Sequence, residues 1–486
     1  MSEEIKKLEP KEVWKNFYSL TRIPRPSKFE DKIQQFMLEF GDELGLETMR
    51  DKVGNIIIRK PATPGMEDCK GIILQAHLDM VPQKNAATQH DFEKDPIQAT
   101  IDGEWVRAKG TTLGSDNGIG VAAAMTVLAS RDLAHGPIEA LFTCDEETGM
   151  TGAEGLKPGV LKGDILLNLD SEDEGELYIG CAGGVDVTGD IAFKEVEVPP
   201  FYVPYRLSLT GLRGGHSGLD INLGRGNANV ILMKLLNELA RKAGGRLANF
   251  EGGNLRNAIP REAFATIVIP ESKKEEFKTA VADFEENAQM VFHDADPGLK
   301  ITASATKMPS HVMEESVQAE LYKAIEALPN GMISMVPDAE NVVETSTNLA
   351  IIKVKDGNVF IACLLRSSVD RSKMDLADKM SGILKEAGAK TEVSGAYPGW
   401  KPNFNSEILE TMKEVYRMKF GKIPEVKVIH AGLECGILGA NYPNWDMISF
   451  GPTIRHPHSP DEKVNIATVG LFWDYLVETL KNCPKK

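Results

Sequence analysis

The chain is short of positive charge: 55 Lys and Arg face 71 Asp and Glu, a formal net charge of -16. That balance excludes nucleic acid or an anionic membrane as the main partner. No apolar run is long enough to span a bilayer. The N-terminal stretch through Phe17 reads as a charged amphipathic helix, without the apolar core and small-residue cleavage site of a signal peptide. Cysteine is sparse. The six (Cys69, Cys144, Cys181, Cys363, Cys435, Cys483) are scattered with no CxxC pair, which suits reduced thiols in a cytoplasm better than a disulfide frame. A cytoplasmic location is therefore expected. There is no P-loop and no H-E-x-x-H. GGHSG at 214–218 does not fit G-x-S-x-G, and GRGNAN departs from the dinucleotide fingerprint at its last glycine.

What is present is an ordinary globular composition, 42% hydrophobic and 26% charged, over 486 residues. That length suggests two or three domains. To about residue 185, helix-like segments such as KIQQFMLEFGDELG and GIGVAAAMTVLAS alternate with short apolar runs such as NIIIRK, GIILQAHLDMV, IEALFTC and GDILLNLD. This pattern predicts an α/β unit around a mostly parallel sheet. From about 200 the strands and helices follow a different order, which then recurs. The reading is an inserted α+β domain over 186–399, made of two tandem similar units at about 200–300 and 301–395. After the junction YPGWKP, α/β character returns over 400–486. That segment is too small to fold alone, so it completes the domain begun by 1–185.

In parallel α/β sheets, ligands gather at the carboxyl ends of strands. Here those ends carry His77 and Asp79 after GIILQ, Asp116 in the turn LGSDNGIG, Glu146 and Glu147 after IEALFTC, Asp170 after DILLNL, and His456 and His458 after MISFGP. Each alone has a plain structural reading, as a turn residue, a helix cap or a surface histidine. Together, histidines and carboxylates with few interleaved cations make a cage for two Zn²⁺-type ions.

At this point the chain resembles the zinc peptidases that include carnosinases, aminoacylases and carboxypeptidase G. The blocks that carry the likeness are IPRPSKFE, FEKDPIQATIDGEWVRAKGTTLGSDNGIG, GCAGG, GLRGGHSG, GNLRNAIPREAFATI, GAYPGW, VIHAGLECGIL and GPTIRHPHSPDEKV. The resemblance implies two Zn²⁺ per chain, with Co²⁺ or Mn²⁺ as substitutes. His77 and Asp170 would bind one ion and Glu147 and His458 the other, with Asp116 bridging. The pair Arg455-His456 before PHSPDE departs from the family pattern and puts a second histidine, His456, near the site as an alternative to His458. It implies Glu146 as general base, Asp79 as the acceptor that fixes the tautomer of His77, and a cis peptide at Asp116-Asn117. The inserted domain becomes a lid whose His216 donates to the oxyanion when the lid closes, and Asn257 and Arg366 grip the peptide termini. The implied activity is hydrolysis of unblocked dipeptides, preferentially Xaa-His such as β-alanyl-histidine. A homodimer is the implied assembly. The alternatives are another amide hydrolase on the same scaffold (tripeptidase, aminoacylase or carboxypeptidase) and an inactive metal-binding recognition protein.

Overall fold

In the computed structural model, which describes residues 2–337, 339 and 341–486, the backbone divides into two units. The first comprises the chain up to Gly180, Trp400–Val428 and Leu433–Lys486; the second comprises Cys181–Gly399 and Ile429–Gly432. The short return at Ile429–Gly432 had no signal in the sequence reading.

The first unit is built on an eight-stranded sheet. Its order is Glu47–Arg50, Ile56–Lys60, Ile138–Thr143, Ile72–His77, Ile165–Asn168, Asp446–Ser449, Glu176–Cys181, Glu425–Ile429. The four middle strands, Ile138–Thr143, Ile72–His77, Ile165–Asn168 and Asp446–Ser449, run parallel. Three of them are buried at every position, as expected of parallel strands covered on both faces. The flanks are antiparallel, so the sheet is mixed and the expectation of a mostly parallel one holds only at its centre. Periodicity cannot separate the two cases, because an apolar run reports burial and not strand direction.

The Ala-rich helix Ser115–Ala129 is buried from Asn117 through Leu128. Small side chains let it lie against the sheet on one side and against helix Lys11–Thr21 on another. The single amphipathic N-terminal helix expected from the sequence is two pieces, a 3-10 turn at Ser2–Lys7 and the α-helix Lys11–Thr21. Pro10 at the N-cap separates them, since a proline cannot donate to the preceding turn.

The second unit contains one continuous sheet. Its order is Lys300–Ala305, Tyr202–Thr210, Ala263–Pro270, Arg246–Gly252, Val343–Lys355, Asn358–Ser367, Gly183–Ala192, Lys390–Tyr397, with Gly331–Met335 also paired to Val343–Lys355. Helices Ala228–Ala243, Lys274–Val291, Glu315–Ala327 and Asp370–Glu386 contribute to the core that packs on it. The strand beginning near Leu299, expected in the later unit, is Lys300–Ala305, and it pairs with Tyr202–Thr210. Gly183–Ala192, whose first residues fell before the expected boundary, pairs with Asn358–Ser367 and Lys390–Tyr397. Neighbours in sequence are only commonly neighbours in a sheet.

Candidate active site

The predicted ligands converge at the carboxyl end of the four parallel strands. Strand Ile72–His77 ends on His77. Glu146 and Glu147 open the short helix that follows Ile138–Thr143. Asp170 lies two residues past Ile165–Asn168, and His458 lies nine residues past Asp446–Ser449. Asp116 sits at the head of the Ala-rich helix in non-helical backbone, and its peptide bond to Asn117 is cis.

Asp116 stands between two groups. Its Oδ1 is 3.1 Å from His77 Nε2, and its Oδ2 is 3.2 Å from His458 Nε2. His77 Nε2 is 3.5 Å from Asp170 Oδ1, and His458 Nε2 is 3.0 Å from Glu147 Oε2. Two triads result, His77–Asp116–Asp170 and Asp116–Glu147–His458, each with donor atoms within 4.8 Å of one another. Glu146 lies beside them, grouped with His77 and Glu147. His456 is exposed and joins no such group among the described residues.

This donor set fits two divalent ions. Imidazole nitrogens and carboxylate oxygens are the usual partners of Zn²⁺. Glu147 Oε1 and Asp170 Oδ1 are buried with no hydrogen-bond partner, and a buried polar atom in that state is costly unless something else meets it. The charges agree. Burial alone would lower the His77 pKa, but Asp170, Asp116 and Asp79 raise it well above the ordinary value. His458 is raised to about 11 by its hydrogen bonds to Asp116 and Glu147. Burial, with Asp116 and Glu147 nearby, pushes Asp170 to about 7 against the pull of His77. Burial also raises Glu146 well above the ordinary carboxylate range, with Asp170, Glu434 and Glu147 adding to the effect.

A prediction follows for the metal-free protein. Asp170, Glu172 just after it in the same loop, and Glu434 at the head of helix Glu434–Asn441 have folded pKa values raised, chiefly by burial, to about 7, about 8 and about 7. The folded state therefore binds more protons than the unfolded chain from roughly pH 4 upward, and stability falls as pH rises through that window. The raised histidines act in the same direction above about pH 6.5. The melting temperature of chelator-treated protein should fall between about pH 5 and about pH 8, and excess Zn²⁺ should abolish the fall. A melting temperature that rises over that range without metal would contradict these assignments.

Three residues support the site; Asp79 was expected from the sequence, and Glu462 and Arg25 were not. Asp79, fully buried, lies beyond the end of the strand. Its Oδ1 accepts from the Glu146 backbone N–H at 3.0 Å; its Oδ2 accepts from Glu147 N–H at 3.2 Å and from Ser27 Oγ at 2.8 Å. His77 Nδ1 is 3.3 Å from Asp79 Oδ1, near enough for charge attraction but not aligned as a hydrogen bond. Asp79 thus fixes the glutamate turn at least as firmly as it fixes His77. Glu462 clamps the Asp116 turn: its carboxylate accepts from the N–H groups of Leu113, Gly114, Ser115 and Asp116 at 2.7–3.2 Å and from Ser115 Oγ at 2.6 Å. Gly114 makes that turn at φ +72, a conformation that favours glycine. The buried Arg25 guanidinium donates to the carbonyls of Leu78, Asp79 and Gly114, tying the two ligand loops together.

His216, Asn257 and Arg366 belong to the second unit. The Nδ1 of His216 accepts from the N–H groups of Gly218 and Leu219 at 3.2 and 3.1 Å. Its proton is therefore held on Nε2. Burial and the nearby Arg366 charge lower its pKa, so the ring is a neutral donor. Arg366 is 4% exposed; Nε donates to Ser217 Oγ at 3.3 Å and Nη1 to Tyr397 Oη at 3.2 Å. No carboxylate pairs with it among the described residues. Asn257 is exposed, and only its backbone carbonyl is engaged, by Ser217 N–H at 2.8 Å.

The chain is 46% identical over 483 residues to the cytosol non-specific dipeptidase of Escherichia coli (strain K12), covering 99% of this chain and 100% of that one. It superposes on the crystal structure of aminoacylhistidine dipeptidase from Vibrio alginolyticus with a TM-score of 0.96 and 47% identity, covering 100% of both chains. Human carnosine dipeptidase 1, at TM-score 0.51 and 12% identity over 99% of this chain and 98% of that one, shares the fold. The model of peptidase family M20/M25/M40 matches residues 73–482, and the chain belongs to that family of peptide hydrolases.

Proposed function

We propose that the chain is a cytoplasmic dipeptidase with two metal ions, zinc by preference with Co²⁺ or Mn²⁺ as substitutes, that hydrolyses unblocked dipeptides including Xaa-His and β-alanyl-histidine. The observation that carries this reading is the pair of triads sharing Asp116 with Glu146 at their edge. Two divalent ions bound there would polarise the scissile carbonyl and acidify the attacking water.

The residues divide the remaining work. Glu146 takes the proton of the attacking water and returns it to the leaving amine; its raised pKa suits a group that must both accept and release. Asp79 keeps Glu146 and Glu147 in separate directions by holding both of their backbone N–H groups. His216, a neutral imidazole with its proton on Nε2, donates to the oxyanion when the lid closes. Arg366, a buried cation without a carboxylate partner, receives the free carboxylate of the dipeptide. Asn257 presents an exposed amide for the peptide itself.

The dipeptide reading is supported by full-length likeness to two dipeptidases. Zinc-loaded protein should turn over glycyl-histidine and β-alanyl-histidine much faster than N-acetyl amino acids or tripeptides. Faster turnover of N-acetyl amino acids would move the assignment to an aminoacylase, and faster turnover of tripeptides to a tripeptidase. No turnover of any of them, with two metals bound, would leave a recognition protein.

A further inference from the structure

A row of polar side chains runs beneath the ligands, where strands covered on both faces would ordinarily carry only apolar ones. Ser449, Asn168 and Gln75 are register partners across three adjacent strands. Gln75 lies two residues before His77 and so shares its face, and Thr143 is the register partner of His77 itself. All are buried. They form one hydrogen-bonded chain: Ser171 Oγ meets Ser449 Oγ at 2.6 Å, Ser449 donates to Asn168, and Asn168 donates to Gln75. The chain ends on a carboxylate. Gln75 Nε2 at 2.6 Å and Thr143 Oγ1 at 2.8 Å both donate to Oε2 of Glu434.

Glu434 opens helix Glu434–Asn441 and is 2% exposed. Its Oε1 has no hydrogen-bond partner, and no Lys or Arg pairs with it among the described residues. It joins neither ligand triad. A carboxylate taken out of water without a cation is costly, so its charged form needs a positive partner that no Lys or Arg supplies. Its two anchors place that charge beside His77, since one anchor shares the His77 face and the other is its register partner. The other triad differs in setting: the His458 side chain is 54% exposed, against 1% for His77.

We propose that Glu434 is the counter-charge to the ion held by His77 and Asp170, and that it makes this the tighter of the two metal sites. The inference rests on the two-metal reading above. Glutamine is the discriminating substitution, because its amide oxygen still accepts from Gln75 and Thr143 while the charge is gone.

The test is calorimetric titration of metal-free protein with Co²⁺. Wild type should bind two ions in separate steps, and Glu434→Gln should weaken only the tighter step, by roughly 10–100-fold, the usual cost of losing a partner outside the ligand set. With His458→Ala added, which leaves the His77 and Asp170 site, Glu434→Gln should cost the same factor. With His77→Ala added it should cost nothing. The melting temperature of the metal-free protein should not fall. Loss of affinity in the looser step, equal loss in both backgrounds, or no loss in either would overturn the inference while leaving the two-metal reading intact. Fewer than two ions on wild type would overturn both.

Discussion

Glu146→Gln should retain both metals and lose most activity, on the order of 10²–10⁴ in turnover, the usual cost of removing a general base. The ligand triads do not include Glu146 as a member of the pair bridged by Asp116, so the ions keep their donors. An amide of the same shape cannot take a proton from water. Glu147→Gln should behave differently, because Glu147 stands 3.0 Å from His458 and supplies one triad with its carboxylate. A neutral amide is a poorer ligand, so this variant should lose affinity at one site and activity with it. Elemental analysis beside dipeptide turnover separates the two. If Glu146→Gln lost an ion and Glu147→Gln kept both, the roles would be reversed.

His216→Ala should lower kcat by about 10²–10³, the range for removal of one oxyanion donor, with metal content unchanged. Its tautomer sets this role. Because Nδ1 is occupied by two backbone N–H groups, Nε2 must carry the proton, and the ring can only donate there. His216→Gln, which retains a donor N–H, should recover part of the loss, whereas His216→Leu should not. Unchanged turnover in His216→Ala would return this residue to a purely structural place in the glycine-rich loop.

How far the sequence carried this account depends on the kind of residue. Four of the five candidate ligands were legible because each follows an apolar run at a strand end, where imidazole and carboxylate are out of place unless they hold something; Asp116 stood out as the acid of the glycine-rich turn before the Ala-rich helix. Of their supports only Asp79 was legible. Glu462 acts on the Asp116 turn from 346 residues away, and a glutamate in SPDEKV reads locally as a solvated surface residue. Arg25 looks like one cation in a polar loop, yet it is 2% exposed and bonded to three carbonyls. Glu434 reads as a helix-capping acid, and only strand register reveals it beside His77. The first sheet's strand directions were also hidden, because burial sets composition on either kind of strand. For the second sheet, similar local order suggested two units, but strands from both halves cross the expected boundaries to pair.

The shared carboxylate is the centre of the account, and metal stoichiometry tests it most directly. Wild-type protein loaded with Zn²⁺ and dialysed should hold two ions per chain by elemental analysis, and His77→Ala and His458→Ala should each hold one. Asp116→Ala should hold fewer than either, since its Oδ1 faces one histidine and its Oδ2 the other. An Asp116→Ala protein that folds and keeps two ions, or a wild type that binds only one, would contradict it.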